Sequence, residues 1–118
     1  MSYGSKHFPA REFACRCCGD VRIDPVLLVA LEWLRAVIGQ PILINSGYRC
    51  EKHNAAVGST PSSQHRTGKA ADIRVAGLRP ETVAYAATQV PYFRDGGIGT
   101  YETFVHVDVR DGSARWRG

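Results

Sequence analysis

The sequence predicts an α+β fold, a small and mainly antiparallel sheet flanked by helices. Three observations carry that expectation. Asp24-Pro25 is followed by apolar residues at Leu27, Leu28, Leu31, Leu34 and Ile38, the spacing of one buried helix face. Ala70 to Val75 alternates instead, placing Ala71, Ile73 and Val75 on one side and Asp72 and Arg74 on the other. Phe104 to Arg110 alternates again, with Val105, Val107 and Val109 opposed to Phe104, His106, Asp108 and Arg110. The order helix, strand, strand, helix, strand, strand reads as α+β.

Taken in order, residues 1–20 are polar, turn-forming and rich in cysteine, and are expected to wrap the surface. Asp24 supplies a helix N-cap, Pro25 the first helical position and Gly39 the C-terminal cap. Pro41 to Ile44 is a short apolar run of strand type, ended by Asn45-Ser46-Gly47. Cys50 to Val57 allows one or two helical turns, and Gly58 to Gln64 is a Ser/Pro-rich loop. Pro80 to Val90 predicts the second helix, and Gly96-Gly97-Ile98-Gly99 leads into a hairpin that returns along Phe104 to Arg110. Trp33 is expected to pack on a helix face and Trp116 to tether the C-terminus.

The 118 residues are 44% hydrophobic and 22% charged, which suits one globular domain over 1–118 and excludes a disordered or collagen-like chain. A domain of this size buries roughly two thirds of its unfolded surface, so it needs no disulfides merely to fold. The net charge of +4 comes from scattered basic residues and gives no nucleic-acid footprint. Neither an apolar run of membrane-spanning length nor an apolar leader core is present, so membrane insertion and a cleaved leader are not expected.

The chemistry sits on the polar sides of the two alternating strands. Asp72 projects from one and His106 from the other, and His65 lies in the loop seven positions before Asp72. Two imidazoles and a carboxylate can hold zinc and leave a fourth position open for water. The metal would keep a net positive charge and acidify that water. Taken singly, each residue is more often a hydrogen-bonded polar group than a ligand.

Four strings occur in order: Ser46-Gly47-Tyr48-Arg49; His53-Asn54 with Val57-Gly58; Ser63-Gln64-His65 with Gly68 and Ala71-Asp72-Ile73; and Gly96-Gly97-Ile98-Gly99 with Phe104-Val105-His106-Val107-Asp108. Together they resemble the M15 family of zinc peptidases, the D-alanyl-D-alanine carboxypeptidase type, in its short bacterial and phage branch. The similarity runs from about Phe8 to Trp116. The resemblance implies the α+β fold shared with the hedgehog signalling domain, and a zinc ion on His65, Asp72 and His106. It also implies metal-assisted hydrolysis of an amide in the stem peptides of peptidoglycan, as a carboxypeptidase or an endopeptidase. Arg49 would hold a substrate carboxylate or carbonyl, for which a planar fork suits better than an ammonium, unless it pairs with Glu51 on the surface. Ser63 would bind substrate or order the ligand loop, with turn stabilisation as the alternative.

The catalytic base is where the sequence departs from the family pattern. Many members carry Asp or Glu three residues before the last ligand, and that position here is Thr103. Glu102 is one residue further away and is the expected base; Asp108 is the rival, or else orients a metal ligand, or pairs with Arg110 or Arg74. If neither carboxylate serves, the chain would be a zinc-containing cell-wall-binding or virion module without hydrolytic activity. The expected setting is cytoplasmic or phage-associated, as a monomer acting on the bacterial wall.

Cys15, Cys17, Cys18 and Cys50 stand apart from that site. Cys15 with Cys18, and Cys50 with His53, have the two-residue spacing of zinc ligands, so a second, structural zinc on Cys15, Cys18, Cys50 and His53 is one reading. Disulfides and free thiols are the others, and without a leader peptide the disulfides rank last.

Overall fold

Asp24 starts the principal helix as its position predicts. In the computed structural model, which describes residues 4–60 and 62–118, its carboxylate accepts a hydrogen bond from the Val26 N–H at 2.8 Å. Helix α1 (Pro25–Ile38) runs to Gly39, whose left-handed φ of 75° closes it. Leu27, Ala30, Leu31 and Leu34 are buried along its inner face, with Leu28 and Ile38 partly buried beside them.

Five strands form one sheet in the order β1-β2-β4-β3-β5. These are β1 (Leu43–Ser46), β2 (Ala70–Arg74), β3 (Gly97–Thr100), β4 (Val105–Asp108) and β5 (Ala114–Arg117). Every pairing is antiparallel except β3 with β5, which is parallel. Ala71, Ile73, Ile98, Val105 and Val107 point from the sheet into one cluster with α1 and with Val83 and Ala87 of helix α3 (Pro80–Ala87). Alternation then commits the opposite side chains, Asp72, His106 and Asp108, to the other face of the sheet.

The structure corrects the expected boundaries in several places. Strand β1 begins two residues later than expected and takes in Asn45 and Ser46, because pairing with β2 sets Ser46 opposite Asp72 across a bulge after Ile44. The helix expected over 80–90 stops at Ala87, and a separate short α4 (Pro91–Arg94) follows beyond its expected end. Val90 is extended (φ −100°, ψ 114°), as a residue before proline prefers. Strand β5 was not expected at all: it is four residues long, and two of those are arginines.

The expected wrap over residues 1–20 begins on residues 1–3, which lie outside the described residues, as does residue 61 of the expected 58–64 loop. From residue 4 onward the segment is more than a wrap. Phe8 and Phe13 are fully buried and meet edge to face at 6.4 Å, and Cys15 is buried beside them in the chain. Trp33 packs edge-on against Tyr92 at 6.3 Å yet stays 44% exposed, on a stripe of α1 with Val26, Val29 and Val37. Among the described residues, no helix is long and apolar enough to cross a membrane.

Candidate active site

Register places the first two of the expected ligands. Asp72 of β2 and His106 of β4 are direct cross-strand partners, so their side chains rise side by side from the same face. His65 comes from a short 3-10 turn (Gln64–Thr67) that returns the chain into β2. Ser63 caps this turn, its hydroxyl accepting from the His65 N–H at 3.3 Å. Gly68 then reverses the chain with φ 73°. All three side chains are buried to within a few per cent.

Hydrogen bonding fixes the tautomer of each imidazole. His65 Nδ1 is 2.7 Å from the Gly47 carbonyl oxygen, which can only accept, so Nδ1 carries the proton. The unprotonated Nε2 of the neutral ring therefore faces Asp72 Oδ1 at 3.1 Å. His106 is turned the other way round: Nε2 donates to Asp108 Oδ2 at 2.7 Å, and Nδ1 lies 3.1 Å from the same Asp72 Oδ1. Two nitrogen lone pairs and a carboxylate oxygen thus converge on one point. When a proton rather than a metal takes that point, the facing ring nitrogens become donors to Asp72. Burial works against charge on either partner, but these bonds outweigh it, holding the Asp72 carboxyl far below its usual range and, with Asp108, raising the pKa of His106.

Arg49 completes the cluster. Its Nη2 donates to Asp72 Oδ2 at 3.0 Å, its Nε to Ser46 Oγ at 3.2 Å and its Nη1 to Ser59 Oγ at 3.1 Å. The surface pairing with Glu51 does not form; the guanidinium turns inward. Asp72 therefore divides its oxygens, Oδ1 toward the two histidines and Oδ2 toward Arg49.

Beside this cluster lies an open cleft of about 430 Å³, bordered by Arg49, Ser63, Tyr101, Phe104, Arg110 and Trp116 together with the three buried residues. A family comparison matches residues 6–108 to Peptidase M15. The chain belongs to the M15 peptidase family. M15 peptidases are zinc-dependent metallopeptidases, and no match was found among curated proteins.

The donor set fits an M15 peptidase's zinc. Ligand atoms at 2.0–2.1 Å from a tetrahedral zinc stand roughly 3.3 Å apart, close to the 3.1 Å that separates each imidazole nitrogen from Asp72 Oδ1. Without a cation or an added proton, two lone pairs and an anionic oxygen would simply repel. His65, Asp72 and His106 form a group able to hold a metal.

The other expected site residues fall on either side of the cleft. Ser63 borders it, while its hydroxyl is engaged in the turn. Asp108 is fully buried behind His106 and takes hydrogen bonds from the Gly97 N–H (2.9 Å) and from Arg110 Nη2 (2.7 Å). Burial opposes its ionisation, and the bonds from His106 and Arg110 outweigh it and keep the carboxyl well below its usual range. Its geometry is that of an orienting acceptor. Arg74, the other partner considered for Asp108, instead donates to Asn45 Oδ1 at 2.9 Å. Glu102 is exposed in the turn between β3 and β4 and does not border the cleft.

Trp116 borders the cleft, a placement that the sequence reading missed. It sits on the cleft face of β5, its ring centroid 5.1 Å from that of His106, and its Nε1 donates to the Tyr101 hydroxyl at 2.9 Å. The glycines of the Gly96–Gly99 run make the room. A Cβ on Gly99 would lie 2.3 Å from the Trp116 ring, and one on Gly97 would lie 2.4 Å from Asp108 Oδ2. Tyr101 and Phe104 stack face to face at 4.5 Å to form a second wall. Phe104 shares its strand side with His106, a signal already present in the alternation; Trp116 had none, because β5 was not expected.

Proposed function

We propose that the chain is a zinc-dependent peptidoglycan peptidase, one domain acting as a monomer, which hydrolyses an amide bond in the stem peptides as a D-Ala-type carboxypeptidase or an endopeptidase. The observation that carries this reading is the opposite locking of the two imidazoles, which aims one unprotonated nitrogen from each at Asp72 Oδ1 beside an open cleft. In it, His65, Asp72 and His106 hold the metal. Bound zinc supplies a Lewis acid for the scissile carbonyl and lowers the pKa of water toward neutrality.

The remaining work belongs to the chain's own side chains. Arg49 spends one N–H each on Ser46, Ser59 and Asp72, which leaves one N–H on each terminal nitrogen for a substrate carboxylate or carbonyl. This guanidinium anchors the peptide and also steadies Asp72. Tyr101, Phe104 and Trp116 offer apolar walls against which short side chains such as a D-alanine methyl can rest. Glu102 takes the proton of the attacking water and passes it to the leaving amine. To do so, the 101–104 turn must fold toward the cleft. Asp108 keeps His106 in its tautomer.

A second reading draws on the position of Glu102. Apart from Asp72, no carboxylate borders the cleft among the described residues. A wall-binding or virion module that holds zinc and stem peptide without cutting would look the same. Mass spectrometry of muropeptides after incubation, with and without chelator, decides between them. Release of D-alanine or of uncrosslinked stem peptides that stops with chelator supports the peptidase; binding with no cleavage product supports the module.

A further inference from the structure

The metal centre just described makes no use of the cysteines, yet three of the four meet at another place in the fold and the fourth lies beside them. Cys15 and Cys18 flank a tight turn in which the Gly19 N–H donates to the Cys15 carbonyl at 2.8 Å, and the Cys15 N–H to the Asp20 carbonyl at 2.7 Å. Gly19 completes this turn with φ 78°. Cys50 arrives from 35 positions along the chain, as the N-cap of helix α2 (Glu51–Ala56). The sulfurs of Cys15, Cys18 and Cys50 lie within 4.8 Å of one another. The expected fourth partner, His53, is not part of this group: it contributes its backbone N–H to Cys50 Sγ at 3.4 Å, and its imidazole stays outside. Cys17 also lies outside this group, but its thiol stands beside that of Cys50.

Backbone donors surround these sulfurs as they would surround thiolates. The Cys50 N–H points at Cys15 Sγ at 3.4 Å, and the N–H groups of Cys17 and Cys18 point at the same sulfur. The Asp20 N–H points at Cys18, and Lys52 places a positive charge near Cys17. Such a shell of N–H donors satisfies the charge left on sulfur when a metal is bound, and it orients the ligands before the metal arrives. Thiolate donors select zinc, and a fourth sulfur added to these three would leave no open position for chemistry.

We propose that Cys15, Cys18 and Cys50, with Cys17 in the fourth position, hold a structural zinc ion distinct from the one at His65, Asp72 and His106. Each thiol gives up its proton to solvent as the metal binds, with no change of oxidation state. The ion would clamp the 15–19 turn to the start of α2, one residue from Arg49, and so fix the loop that delivers the guanidinium to Asp72. Metal binding to a cluster closed across 35 positions is also folding free energy.

Metal analysis of the full chain, purified under reducing conditions, tests this. Two zinc equivalents are expected, falling to one in Cys50→Ser and to one in His106→Ala, each variant losing a different ion. Cobalt substitution of the unaltered chain gives a second measurement that does not depend on a variant folding. Intense sulfur-to-cobalt charge transfer is expected, and it should persist in His106→Ala. Cys17→Ser should weaken zinc retention against a competing chelator at least tenfold; unchanged retention would overturn the fourth-ligand assignment. One zinc per chain, with all four thiols reacting freely, overturns the site, as does a mass lowered by the hydrogens lost in a disulfide. Either result leaves the His65 centre standing, whereas loss of zinc only from that centre leaves the cysteine site standing.

Discussion

His106 Nε2 donates to Asp108 Oδ2 at 2.7 Å, and this contact decides which face of the imidazole is offered to Asp72. Asp108 can do so because it is itself fully buried and held by Gly97 and Arg110. Asp108→Asn keeps the shape but can present an N–H where His106 needs an acceptor, favouring the wrong tautomer. Zinc retention at the His65 centre should fall about 10–100-fold, measured by competition with a chelator. Undiminished retention would show that the ring is oriented by something other than Asp108.

Arg49 bridges Asp72, Ser46 and Ser59, and a lysine offers no fork to replace those contacts. Arg49→Lys should retain zinc and lose about 2 kcal/mol of substrate interaction, read mainly as a rise in KM for a stem peptide. A fall in kcat alone would move the role from binding to chemistry.

Glu102→Gln should keep its zinc and lose about 100-fold or more in turnover. If the rate is unchanged, the proton moves by another route. If the unaltered protein has no rate to lose, the wall-binding reading holds.

Gly97 leaves no room for a side chain, since its Cβ would meet Asp108 Oδ2 at 2.4 Å. Gly97→Ala must displace either β3 or the buried carboxylate. We expect a loss of about 1–3 kcal/mol in stability, with zinc retention falling in the same variant, as read by denaturation and metal analysis together.

Acid should loosen the N-terminal segment. Ser5 Oγ and the His7 N–H both donate to Glu32 Oε2, at 2.6 and 2.8 Å. Burial of Glu32 works against its charge, but these bonds and the His7 side chain outweigh it and lower the carboxyl's pKa. A lowered folded pKa means stability that is present above the unfolded value of about 4.3 and lost as pH falls through the folded value. The stability gap between the unaltered chain and Glu32→Gln should therefore close on acidification. A gap that widens below that pH would reverse the assignment.

The sequence by itself determined the local decisions. Asp24, Pro25 and Gly39 set the limits of α1 through capping chemistry that acts over a few bonds. The alternations over 70–75 and 104–110 chose strand and assigned each side chain a face, because a period of two leaves no other way to bury Ile73, Val105 and Val107. The same parity put Asp72 and His106 on the polar side, and the ordered motifs pointed to the family. Tertiary structure decided what depends on register and on distant partners. Only pairing of β2 with β4 sets Asp72 opposite His106, and only the Gly47 carbonyl and Asp108 choose the ring nitrogens that face it. The parallel addition of β5 brought Trp116 to the cleft, where Gly99 had left space. Arg49 turned from Glu51 to Asp72 because a buried carboxylate needs a partner more than an exposed one does. The sulfurs of Cys15 and Cys18, without the His53 imidazole, came to lie with that of Cys50, because a tight turn at Gly19 folds the cysteine-rich segment against the start of α2.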